Sequence, residues 1–129
     1  MKREIKFRGK SIHEDVWLYG WLMQATDWSK AMIQEFEGKR DGGYDLCAEV
    51  IPDTVGQFTG LLDACGNEIY EGDILREQGT GKLVQVVYDA PEFVFKSNQF
   101  GYVFLNHPEN FEVAGNAYDN LELLKGGRE

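Results

Sequence analysis

The chain has 129 residues, with 13 Lys and Arg against 22 Asp and Glu for a formal net charge of −9, and it is 43% hydrophobic and 13% aromatic. A chain of this length buries roughly two-thirds of the surface its unfolded form exposes, so it can hold one core or two very small ones, and disorder is excluded as the main state. No apolar run approaches the ~18–20 residues of a membrane span, no signal-type apolar stretch follows the charged start, and the acidity gives no global attraction for phosphates. The reading is a soluble, cytoplasmic protein with no membrane partner and nucleic acid as a disfavoured one.

The first ten residues run against this balance. Lys2, Arg3, Lys6, Arg8 and Lys10 stand against Glu4 alone, a net +4 that leaves −13 on residues 11–129. Period-two alternation predicts a strand over residues 4–8, with Lys6, Arg8 and Lys10 on the side opposite Ile5 and Phe7. The plain reading is a solvated strand face whose charges guard an edge against aggregation. The functional reading is a docking arm for an acidic surface on the same chain, a sister subunit or a nucleic acid.

Residues 16–22, VWLYGWL, give the next strand. Trp17, Tyr19 and Trp21 share one face and Val16, Leu18 and Leu22 the other, which predicts cover on both sides; Gly20 marks a bend, a bulge or a close backbone approach. The aromatic face reads as core or subunit contact, or as a base-stacking platform; its neighbours are not basic, which favours the first. Residues 27–38 fit two patterns. Asp27 can cap a helix with Trp28, Met32, Ile33 and Phe36 in one stripe, while Met32, Gln34 and Phe36 also alternate as in a strand. KRDGG at 39–43 resembles a hairpin tip leading into a strand over 44–51. The best boundary lies near residues 52–60, dividing the chain into 1–60 and 61–129 unless the two form one continuous domain.

Residues 50–75 have the most explicit turn chemistry. In DACGN, Asp63 can accept hydrogen bonds from following amides and Gly66 supplies a positive φ; Glu71, Gly72 and Asp73 then make a second reversal that launches Ile74 and Leu75. Asp63, Glu68, Glu71 and Asp73 do not fit a calcium loop, so Asp63, Gly66, Gly72 and Asp73 are assigned structural turn roles. Further strands are expected at 83–88, 93–95, 102–105 and 111–113, giving an all-β, mainly antiparallel chain with little helix.

No local motif assigns a reaction. Cys47 and Cys65 read as free thiols, the first near a strand and the second in a turn. With His13 and His107 they lack metal-ligand spacing, and no phosphate loop, nucleophile elbow or zincin helix occurs. No cofactor, metal or catalytic residue is assigned. A hydrolase assembled from His107, Asp89 and a nucleophile such as Cys47 or Ser97 ranks last among the functional readings.

Five blocks carry a resemblance: IKFR at 5–8, WLYG at 17–20, TVGQFTGL at 54–61, GNEIYEGD at 66–73, and GNAYDN at 115–120 with Leu121 and Leu124. Together they resemble the YopX family of phage and prophage proteins, with mild departures at Cys65 and Ala117. The resemblance implies a mostly β fold of two small, closely packed, barrel-like pieces encoded by mobile elements, and it carries no catalytic residue over to this chain. It also implies β structure at 31–36, and a turn at 115–120 before a last extended segment, 121–124. The resulting expectation is a noncatalytic binding or assembly module that self-associates as a homo-oligomer or meets a phage or host protein. Its candidate contact residues are Lys6, Arg8, Lys10, Trp17, Tyr19, Trp21 and Trp28. The alternative is a nucleic-acid-binding accessory protein using the same basic strand and aromatics.

Overall fold

The computed structural model describes residues 4–25, 29–39, 45–89, 92–97, 101–104 and 108–125. Alternating patterns dominate these segments and form strands, numbered β1 to β11 in chain order. The chain separates into two compact units, Met1–Phe58 and Thr59–Glu129. No described helix is long and apolar enough to cross a membrane.

The first unit contains β1 (Phe7–Lys10), β2 (Trp17–Gln24), β3 (Ala31–Lys39), β4 (Asp45–Val50) and the start of β5 (Gly56–Leu62). They lie in the order β4-β3-β2-β1-β5, each neighbour antiparallel. The two-way pattern at 27–38 resolves as strand from Ala31 onward: Ala31 and Ile33 are fully buried while Met32 and Gln34 are only half-buried. Leu18, Ala31, Ile33 and Val50 form the core, packed by Phe7, Leu22, Ala48 and Val55. Each large side chain there contributes about 1.5–3 kcal/mol on burial. Two glycines make this packing fit. A Cβ on Gly20 would stand 2.0 Å from the Gln34 carbonyl oxygen, and one on Gly9 would stand 2.7 Å from Val50 Cγ2. Gly20 is therefore the close backbone approach, not a bend.

Among the described residues neither sheet closes into a barrel, which corrects the barrel-like expectation to two open antiparallel sheets. A barrel needs ladder pairing between its end strands. Among the described residues, the end of β1 meets β4 across the first sheet, where Ser11 bridges Val50 and the Ile51 N–H donates to the Lys10 carbonyl at 2.8 Å. The 3-10 turn Pro52–Thr54 braces that point. The Thr54 hydroxyl donates to the Ile51 carbonyl at 2.6 Å and accepts the Lys10 N–H at 2.9 Å.

In the second unit, the end of β5 has β6 (Glu68–Tyr70) beside it, and β7 (Asp73–Glu77), β8 (Leu83–Asp89), β9 (Glu92–Ser97), β10 (Gly101–Phe104) and β11 (Phe111–Asn116) form a sheet in the order β10-β9-β8-β7-β11. Its core is Ile69, Leu75, Val84, Val86, Phe95 and Phe111, with Leu61, Phe93 and Val113 against it. Phe95 and Phe111 meet edge to face, their centroids 4.7 Å apart. The extended segment expected at 121–124 is instead a turn of helix, α1 (Glu122–Lys125). The cause is local capping. The Asn116 side chain accepts the Tyr118 and Asp119 amides at 3.0 and 2.8 Å, and the Asn120 and Leu123 amides then bond to the Asn116 and Asn120 carbonyls.

Candidate functional site: an aromatic sheet face and a carboxylate turn

Register decides which side chains share a surface. Arg8 lies opposite Tyr19 and Lys10 opposite Trp17, so the cations of β1 and the aromatics of β2 leave the sheet on the face away from the core. The Arg8 guanidinium sits 4.8 Å from the Trp17 ring centroid, Lys10 Nζ 5.7 Å from the same ring, and Lys6 Nζ 5.2 Å from that of Phe58. Lys10 also pairs with Asp15 at 2.6 Å and Lys6 with Glu4 at 3.5 Å.

The solvated-face reading of this strand is therefore corrected. Arg8 is only 7% exposed, and the Lys6 and Lys10 side chains only 14% and 13%. Long aliphatic stems lie on apolar rings and the charge is drawn to the ring face, worth about 0.5–2 kcal/mol per contact.

The far half of β2 differs. Tyr19, Trp21 and Met23 are 43%, 55% and 44% exposed, whereas Leu18 on the opposite face is buried. The expectation that both faces of VWLYGWL are covered is thus corrected: within this chain the core takes the Leu18 face alone. Cross-strand pairing extends the outer face sideways, from Trp21 to Gln34 to Cys47 and from Met23 to Met32 to Glu49. Met23 was not singled out in the sequence, and Met32 was read only in the pattern of residues 27–38, not among the contact residues. Trp28 lies outside the described residues, as do Lys2 and Arg3. Tyrosine, tryptophan and thioether side chains are thus gathered, partly exposed, on one face of the sheet.

The turn residues form a second constellation, inside the second unit. Asp63 Oδ1 accepts the Cys65 and Asn67 amides, both at 2.8 Å, while Oδ2 accepts the Val113 amide at 2.8 Å and the Asn67 side-chain amide at 3.2 Å. Burial pushes the Asp63 carboxyl up, but the amides of Val113 and Asn67, the Asn67 side chain and the Cys65 amide together hold it below its ordinary value of 3.8. Gly66 and Gly72 have φ of 85° and 95°, the positive values their turns require. Asp73, 1% exposed, accepts the Tyr70 amide at 2.7 Å. Gly72 links the turn outward, donating to the Val86 carbonyl and accepting the Ala117 amide, both at 2.7 Å.

Asp63, Gly66, Gly72 and Asp73 thus sit in the turns read from the sequence, with one partner the sequence hid: the Val113 amide, 50 positions away. Among the described residues no three His, Cys, Asp or Glu side chains are placed to hold a metal ion. Cys47 and Cys65 are exposed free thiols, on β4 and in the Asp63 turn respectively. His13 is exposed and its amide donates to Ser11 Oγ. Of the hydrolase set, His107 lies outside the described residues, and Asp89 and Ser97 end β8 and β9.

No curated protein matches the chain. A solved structure, that of protein EF1440 from Enterococcus faecalis, superposes with a TM-score of 0.58 at 22% identity, covering 95% of this chain and 99% of that one. At that identity the likeness concerns the fold. The YopX protein family matches residues 6–125, which include four of the five sequence blocks whole, the first block from Lys6 onward, and every described strand, and the chain belongs to that family.

Proposed function

We propose that this YopX-family protein is a noncatalytic binding or assembly module of phage or prophage origin, acting in the bacterial cytoplasm and associating with copies of itself. The observation that carries the reading is the outer face of β2, where Tyr19, Trp21 and Met23 stand 43%, 55% and 44% exposed on a rigid sheet whose other face is core. Exposed aromatics on a preorganised strand lose little conformational entropy when covered, and such residues dominate binding energy at interfaces.

The test is the mass in solution of the wild-type protein and of Trp21→Ser, at low and high salt. Association that Trp21→Ser weakens at least tenfold supports the reading. A wild-type monomer at high concentration in both salts overturns it. The nucleic-acid alternative has the same ring pair in its favour, Tyr19 and Trp21 two positions apart on one face, but the nearby cations are stacked on rings and Lys10 is matched by Asp15. Salt-sensitive quenching of tryptophan fluorescence by a single-stranded oligonucleotide would favour that alternative.

A further inference from the structure

A thioether is an apolar group that a mild oxidant makes polar and that thiol-dependent reduction restores, so where a chain places its methionines decides what a peroxide can change. This chain has 3, and the two after Met1, Met23 and Met32, stand directly opposite each other on β2 and β3. Directly opposed side chains have Cβ atoms about 4.5–5.5 Å apart, so the two thioethers share one patch. Met23 is 44% exposed and Met32 half-buried, and both lie on the outer face with Tyr19 and Trp21.

The core on the inner face of the same two strands takes hydrocarbon side chains instead, Leu18 and Leu22 from β2 with Ala31 and Ile33 from β3. The methionine sulfurs of the two strands are thus confined to the side that a dissolved reagent reaches. A third sulfur, the exposed Cys47 thiol, lies on that face opposite Gln34.

We propose that Met23 and Met32 form a peroxide-modified site, a reversible redox switch for the outer face of the first sheet. In the forward step the O–O bond of hydrogen peroxide breaks and one oxygen bonds to Sδ; the sulfur is oxidised by two electrons to the sulfoxide and the peroxide is reduced to water. In the reverse step a dithiol gives up two electrons and two protons, becomes a disulfide, and the oxygen leaves as water. The sulfoxide oxygen accepts hydrogen bonds, so an apolar patch beside Trp21 becomes a wetted one. Neither side chain belongs to the core, so the fold survives the change. The chemistry rests on register and exposure; its effect on association rests on the reading of the β2 face given above.

The test treats the full chain, carrying Cys47→Ser and Cys65→Ser so that no thiol competes, with hydrogen peroxide and maps the sulfoxides by peptide mass. Met23 and Met32 should both be oxidised with far-ultraviolet circular dichroism unchanged. Retention on a hydrophobic-interaction column should fall, and dithiothreitol with methionine sulfoxide reductases for both epimers should restore it. Association should weaken at least about tenfold on oxidation and return on reduction. Met23→Leu with Met32→Leu, close in volume and unable to take oxygen, should keep association and lose the response to peroxide.

Peroxide that leaves both sulfurs unoxidised, or that unfolds the protein as it oxidises them, overturns the site. A response of equal size in the leucine variant assigns the change to Met1 and overturns it too. Sulfoxides at both positions with association unchanged overturn the switch and leave self-association standing. A strict monomer overturns the self-association reading and the effect on it, and retention and its reversal then decide the modified site alone.

Discussion

Replacing Asp63 by Asn tests how much of the second unit depends on one carboxylate. The variant keeps the side-chain shape but turns one of two acceptor oxygens into a donor. If the remaining oxygen serves the Cys65 and Asn67 amides, the new NH2 group points at the Val113 amide 2.8 Å away, donor against donor; the flipped amide strands the other pair instead. Charge-assisted hydrogen bonds contribute about 1.5–3 kcal/mol, and a donor left without a partner costs about 1–3 kcal/mol. One such loss, with the weakening of the others, gives a destabilisation of about 3 kcal/mol.

Urea unfolding followed by far-ultraviolet circular dichroism measures it. Tryptophan emission is the wrong probe, since Trp17, Trp21 and Trp28 all lie in the first unit. The pH dependence adds a second check. A carboxyl held below its unfolded value stabilises the fold fully above that value and loses its contribution as pH falls through the folded one. The gap between wild type and Asp63→Asn should therefore be constant from about pH 5 to 8 and shrink below the ordinary carboxyl value of 3.8. A variant within about 0.5 kcal/mol of wild type at pH 7, the usual range for an inconsequential surface change, would refute the reasoning.

Three other predictions concern the first unit, where tryptophan emission does report. Gly20→Ala should cost at least about 3 kcal/mol or prevent folding, because its Cβ meets the Gln34 backbone at 2.0 Å; Gly9→Ala meets a side chain, and Val50→Ala should recover part of its loss in a double-mutant cycle. Trp17→Ala should lose more than about 2 kcal/mol through its packing and the two cations it carries, while Trp21→Ser should change the folding stability of the separated chain by under about 1 kcal/mol and act on association. Thr54→Val, which removes the acceptor of the Lys10 amide and the donor to Ile51, should lower stability by about 1–2 kcal/mol and speed hydrogen exchange at Lys10.

The parts of the fold legible in the sequence are those whose signal is local. Alternation located β2, β8 and β9, and the turn residues Asp63, Gly66, Gly72 and Asp73 could be read because an Asp or Gly shapes the backbone within four positions of itself. β5 was not anticipated as a strand, since Gly56 and Gly60 stand two positions either side of Phe58, where alternation would call for apolar side chains. The exposure of Tyr19 and Trp21 was illegible for another reason. Two apolar faces look alike in a sequence, and only the pairing of β2 with β1 and β3 decides which one meets the core. Likewise the stacking of Lys6, Arg8 and Lys10 depends on Phe58 and Trp17 arriving from other strands.

The strand order of the second unit sets a timetable for a chain that emerges from the ribosome amino end first. Strands β1 to β4 of the first unit have all their partners once residue 58 is available. In the second, β7 has β8 on one side from residue 89 onward, but its other side waits for β11, the last strand made. Until residues 111–116 arrive, Asp63 lacks its Val113 partner, Phe95 lacks Phe111, and β7 is a temporary border of the sheet. A nascent or truncated chain ending before Phe111 would thus present a finished first unit and an unsealed second one, the form most exposed to chaperones, proteases and other nascent chains.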